Sequence, residues 1–172
     1  RFLTAPAPVV LHVLSASTFG VLGAFQFADE FRRRRPQWHR VAGRILVPCG
    51  LSVALSGLWM TQFYPSVGFD RVALYWIRLL VGSMMAVSVA LGVAAIGKRD
   101  FRAHQAWMLR AYALAMGAGT QVLTHIPWFL FPAIRGEMAR TVLMAAGWGI
   151  NLWIAEAVIA RAGRPLSATA AL

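Results

Sequence analysis

The chain has 172 residues, of which 59% are hydrophobic and only 13% charged, and its net charge is +11. Several apolar runs approach the ~20 residues that cross a bilayer, which excludes a soluble globular fold. The arginines lie in the gaps between these runs, so the positive charge favours contact with anionic lipid and a role in topology over nucleic-acid binding.

Five apolar segments predict five transmembrane helices in a single domain, residues 1–172. The first segment ends at four consecutive arginines followed by Pro36, which is a strong helix stop. Because the links between segments are short, consecutive helices should be antiparallel neighbours. The predicted fold class is therefore an all-α polytopic membrane helix bundle, with spans at about residues 8–28, 41–63, 72–96, 106–131 and 141–160.

The basic residues are distributed unequally between the two sides of this arrangement. Five lie on one side: Arg1, Arg71, Arg78, Arg135 and Arg140. Twelve lie on the other: Arg32, Arg33, Arg34, Arg35, Arg40, Arg44, Lys98, Arg99, Arg102, Arg110, Arg161 and Arg164. The positive-inside rule places the richer side in the cytoplasm, so the carboxyl terminus is predicted to be cytoplasmic. A further helix before Arg1 would place the start of a longer chain inside.

The four histidines fall into two pairs matched in depth. His39 opens the second predicted helix and His104 opens the fourth, both at the basic side. His12 and His125 lie ~26 Å and ~31 Å from that side by helix rise, near the opposite surface. Neutral imidazoles that face each other across a bundle can ligate haem iron from both sides.

The sequence therefore predicts His39 and His104 as ligands of a haem b iron, with His12 and His125 as ligands of a second haem. Three nearby arginines would hold the propionates of the first haem by charge-assisted hydrogen bonds: Arg40, Arg44 and Arg110. Histidines at helix ends also cap helices or face lipid headgroups, and this alternative stays open. A compact metal site without haem is less favoured, because no carboxylate or cysteine is spaced beside the histidines.

Glu156 is the only acidic residue within a predicted span. A carboxylate at that depth needs a cation, so we expect it to be buried in an ion pair between helices. Its predicted partner is one of three arginines: Arg44, Arg110 or Arg161.

Several separated motifs resemble those of the domain-of-unknown-function 2306 (DUF2306) membrane proteins. They are Gln26-Phe27, His39-Arg-Val-Ala-Gly43-Arg44, Ala103-His104, Trp107-Met108-Leu109-Arg110, Tyr112-Ala113-Leu114, Asn151-Leu152 and Ala155-Glu156. The resemblance runs from about His12 to Arg161 and implies a small bacterial integral membrane protein. It supports the fold and the choice of polar residues rather than any activity.

Two functional hypotheses follow. The first is a b-type haem protein that passes electrons to a quinone or a partner protein. The second is a non-catalytic accessory subunit that packs against a larger membrane complex through its helix faces. No Ser-His-Asp set, phosphate-binding glycine loop or paired carboxylates support a hydrolase or a nucleotide-binding protein, and whether the protein is an enzyme stays open.

Overall fold

The computed structural model describes residues 5–66 and 68–163, and every regular element within them is helical. The α-helices are α1 (Pro6–Gln26), α2 (Asp29–Arg34), α3 (Pro36–Phe63), α4 (Val72–Gly97), α5 (Phe101–Thr124), α6 (Ile126–Leu130) and α7 (Glu137–Gly163), and a 3-10 turn covers Pro132–Ile134. The predicted all-α membrane bundle is confirmed. Arg1 and Arg164 of the charge count lie outside the described residues.

Four helices form a closed ring around one core, and a fifth packs on its outside. Contacts join α1 to α3, α3 to α4, α4 to α5 and α5 back to α1, while α7 lies mainly along α5. The short connections impose this antiparallel order. The core between the four ring helices is apolar and consists of Phe19, Leu46, Val53, Ala54, Met85, Val89, Ala111 and Leu114.

Four of the described helices are long and apolar enough to cross a membrane: α1, α3, α4 and α7. The remaining long helix, α5, has 24 residues and so spans ~36 Å, but it is the most polar of the five. It has α1, α4 and α7 for neighbours. Its polar side chains can therefore reach partners on other helices instead of facing lipid.

The observed helices differ from the predicted spans mainly at the end of the fourth. That span was predicted to reach residue 131, but α5 ends at Thr124 and α6 begins at Ile126. Pro127 explains the break, because proline has no backbone N–H and its ring clashes with the carbonyl four residues earlier. The arginine-rich link also contains a short helix, α2.

Candidate functional site

A cavity lies at the end of the bundle that carries the arginine-rich segment, and we call it the basic-end cavity. Its volume is about 730 Å³. All four ring helices contribute to its wall, which includes both His39 and His104. The other lining residues include Phe19, Gly23, Gln26, Arg32, Arg40, Arg44, Val93, Ile96, Gln105, Met108 and Tyr112. The two histidines that were matched by depth along the sequence are thus brought to one cavity.

His104 is held in a defined orientation near the start of α5. The Asp100 side chain caps this helix by accepting from the backbone N–H of Ala103 at 2.9 Å. The ring Nδ1 of His104 lies 2.8 Å from the carbonyl oxygen of Gly92 in α4. Since a carbonyl can only accept, Nδ1 carries the hydrogen and Nε2 of the neutral ring keeps a free lone pair.

His39 lies in the first turn of α3, which begins at Pro36. Proline suits this position because the first backbone N–H groups of a helix have no partner within it. Nδ1 of His39 is buried and has no hydrogen-bond partner among residues 5–66 and 68–163, and the same holds for Nε2 of Gln26. Both side chains line the basic-end cavity. Buried polar atoms without partners are uncommon, so their presence together indicates a position for a polar ligand.

Two of the three arginines predicted beside the first histidine pair line the cavity. Arg40 and Arg44 are exposed, and neither has a carboxylate partner within the described part of the chain. A third lining arginine, Arg32, is bound to Asp29 at 2.5 Å. The cavity therefore combines two histidines with two guanidinium groups that have no anion.

Arg110 was predicted to bind a haem propionate, but it is not among the residues that line the basic-end cavity. Its Nε and Nη2 lie 2.5 Å and 2.9 Å from the two carboxylate oxygens of Glu156, and its guanidinium stacks 4.6 Å from the Trp107 ring centroid. The ion pair predicted for Glu156 is therefore present. The prediction that Glu156 is buried is wrong, because its side chain is 47% exposed where α5 contacts α7.

The wall of the cavity between α1 and α5 is fixed by Tyr112. Its hydroxyl donates to the carbonyl oxygen of Gly20 at 2.9 Å, and its ring lies 5.1 Å from the Phe27 ring centroid. A Cβ atom on Gly23 would come within 2.6 Å of the Tyr112 ring. Glycine at position 23 thus allows the close approach of α1 and α5 along this wall.

The structure does not bring His12 and His125 to one cavity. His12 Nδ1 lies 3.0 Å from Ser56 Oγ, and its ring lines a smaller cavity of about 300 Å³ at the opposite end of the bundle. We call this the far-end cavity. His125 is buried, with Nδ1 donating to the Gln121 carbonyl at 2.8 Å and Nε2 accepting from Arg140 Nη1 at 3.1 Å. Both its nitrogens are occupied, which leaves none for a second haem iron.

Asp70 is a functional candidate that the sequence did not single out. It lies in the link between α3 and α4, its side chain is 8% exposed, and its two oxygens bind Arg78 of α4 at 2.9 Å and Arg140 of α7 at 3.1 Å. Burial by itself would raise the pKa of the Asp70 carboxyl. The hydrogen bonds and charges of the two arginines outweigh burial and hold that pKa below its ordinary value.

Comparison with known proteins identifies the family and nothing more specific. No curated protein and no solved structure matches the chain. The family described as "Predicted membrane protein (DUF2306)" matches residues 9–159, which include both cavities' histidines and the Arg110–Glu156 pair. The chain therefore belongs to the DUF2306 family of predicted membrane proteins.

Proposed function

We propose that the basic-end cavity binds one b-type haem between His39 and His104, and that the protein transfers electrons within a membrane. The observation that carries this proposal is the meeting of the two histidines in one cavity of about 730 Å³. That volume falls within the ~300–1,000 Å³ of typical cofactor sites.

The histidine chemistry fits an iron ligand. Metal-binding histidines usually donate their second ring N–H to a carbonyl or carboxylate, which fixes the ring and makes the free nitrogen more basic. The bond from His104 to the Gly92 carbonyl has this form. On the facing helix, the His39 ring has no hydrogen bond within residues 5–66 and 68–163, so none has to be broken for this ring to bind iron.

The small number of protein ligands favours haem over a bare metal ion. Among the described residues, no group of three or more His, Cys, Asp or Glu side chains is placed to hold a metal. Two imidazoles supply only two donors, whereas a structural or catalytic zinc site takes three or four from the protein. A macrocycle supplies the remaining donors, and its two propionates are matched by Arg40 and Arg44.

When bound, haem with two histidine ligands supplies one-electron transfer. His39 and His104 would hold the iron, Arg40 and Arg44 would pair with the propionates, and apolar side chains of the cavity would surround the ring. A quinone or a larger membrane complex would be the redox partner. If the protein were only an accessory subunit, the histidine pair and the unpaired arginines of the cavity would have no explanation. Lipid-facing helices such as α7 are compatible with either function.

Absorbance spectra of the purified protein, oxidised and reduced, test the proposal after expression with an excess of haem precursor. We expect a low-spin b-type spectrum that is lost in His39→Ala and in His104→Ala. His12→Ala is the matched control, since it removes a histidine from the other cavity and should keep the spectrum. The proposal would be refuted if the parent protein contained no haem. It would also be refuted if His39→Ala and His104→Ala both kept the parent spectrum.

The proposed orientation places the basic end, with α2, the α4–α5 turn and the end of α7, in the cytoplasm of a bacterial inner membrane. It predicts that Arg44 and Arg102 lie near the cytoplasmic surface. Cysteines introduced at Gln37 and at Ser66, both exposed, in a Cys49→Ala background should react with an impermeant maleimide from opposite sides of sealed vesicles. Labelling of both from one side would contradict the arrangement.

A further inference from the structure

The far-end cavity contains groups that the haem proposal does not use. It lies among α1, α3, α4 and α5, and Trp148 of α7 contributes to its wall. Much of the wall is apolar, with Val53, Met85 and Leu114 shared with the bundle core, while His12 and Arg78 supply polar groups. Apolar walls with a few convergent polar groups are typical of sites for small organic molecules.

The hydrogen bonds around His12 determine which ring nitrogen is available. Ser56 uses its one hydroxyl hydrogen on backbone carbonyls of its own helix, those of Ser52 and Val53. The Ser56 oxygen therefore accepts from Nδ1 of His12 at 3.0 Å. With Nδ1 as the donor, Nε2 of the neutral His12 ring carries the lone pair and can accept a hydrogen bond from a ligand.

Arg78 supplies the complementary donor. Its Nη2 binds Asp70 at 2.9 Å, while its other N–H groups have no hydrogen bond within the described ranges. Because the Asp70 carboxylate also pairs with Arg140, the three side chains together carry a net charge of +1. An ionised carboxylate would pair with Arg78 but has no hydrogen to give to Nε2 of His12, whereas a neutral ligand that both donates and accepts satisfies both groups.

We propose that the far-end cavity binds the headgroup of a membrane quinone. His12 Nε2 would accept from a hydroxyl of the reduced form, Arg78 would donate to the other ring oxygen, and the apolar tail would extend into lipid. The binding rests on the cavity alone, whereas its redox role rests on the proposed haem function.

The test uses a photoreactive azido-hydroquinone with a short alkyl tail, kept reduced under anaerobic conditions, and the purified protein in lipid nanodiscs. Labelled residues are mapped by mass spectrometry, and the affinity is measured by competition with the unmodified hydroquinone. We expect labels on residues of the far-end cavity. His12→Leu should weaken competition about tenfold, the value of one lost hydrogen bond.

Two further variants separate binding from folding. Ala118→Phe adds volume inside the cavity while keeping His12 and Arg78, and it should abolish specific labelling. Thr18→Val removes a hydroxyl from the same helix as His12. Among the described residues this hydroxyl bonds to the Leu14 carbonyl, so the variant should bind the probe as the parent does. Labels confined to the basic-end cavity or spread over the lipid-facing surface would overturn the proposal, as would unchanged affinity in both cavity variants.

The two proposals can fail separately because their measurements report on different cavities. Specific far-end labelling of a protein without a haem spectrum would refute the proposed function and leave quinone binding in place. A haem-containing protein without competable labelling would refute quinone binding and leave the haem site in place.

Discussion

Replacing Asp70 by asparagine should destabilise the bundle clearly, because this carboxylate joins α4 to α7. Its side chain is 8% exposed, while those of Arg78 and Arg140 are 28% and 30% exposed. Asparagine keeps the shape but removes the charge and places an NH₂ group against guanidinium donors. The change also disturbs Arg140, which donates to His125 at 3.1 Å.

The size of the effect follows from the exposure of the partners. Breaking a fully buried ion pair costs ~3–5 kcal/mol, and breaking an exposed one costs ~0–1 kcal/mol. Since the carboxylate is buried and the arginines keep some access to solvent, we expect a loss of about 2–3 kcal/mol. For a chain of this length that corresponds to a Tm lowered by roughly 5–10 °C.

Thermal unfolding in detergent, followed by tryptophan fluorescence, measures this difference. Asp29→Asn is the matched control, because Asp29 also pairs with an arginine at 2.5 Å but its side chain is 66% exposed. The control should lower the Tm by no more than about 2–4 °C. Equal melting of the Asp29→Asn and Asp70→Asn proteins would refute the idea that Asp70 holds α4 and α7 together.

Three further predictions concern pH and helix contacts. Because the pKa of Asp70 is lowered in the folded protein, the stability that it contributes is complete at neutral pH. That stability is lost as the pH falls through the folded pKa, so Tm measured over an acid series should fall more steeply in the parent than in Asp70→Asn. Arg110→Lys cannot reproduce the two-point contact with Glu156 and should cost about 1–2 kcal/mol in denaturant unfolding, whereas Arg99→Lys should have little effect. Tyr112→Phe removes the bond to the Gly20 carbonyl and should lower the Tm by about 2–4 °C, more than Tyr75→Phe, whose hydroxyl bonds at the surface.

Hydropathy and charge were sufficient to predict the helical class and the general positions of the five long helices, because both follow from local composition. The depth of each histidine also follows from counting residues along a helix, which is why His39 and His104 could be paired in advance. Pro127 marked the end of α5, but the apolar residues after it made the segment look continuous. Because proline interrupts helices, Pro127 by itself predicts the break between α5 and α6.

The rotation of each helix about its axis could not be predicted, because it depends on which neighbours the helix packs against. Rotation decides that Glu156 faces the α5–α7 seam instead of the core, and that His12 and His125 face different surroundings. Asp70 was missed for a related reason. Its partners lie eight and seventy residues away on two different helices, and no local pattern connects the three.

The position of the core limits what could pass between the two cavities. Phe19 and Leu46 line the basic-end cavity, while Val53, Met85 and Leu114 line the far-end cavity, so the same apolar cluster separates the two. Proton relays through membrane proteins are built from Asp, Glu and His side chains, and this cluster contains none. With haem in one cavity and a quinol in the other, an electron given up by the quinol could cross the apolar core to the haem. The protons that the quinol releases on oxidation would have to leave from the far end, next to His12 and Asp70.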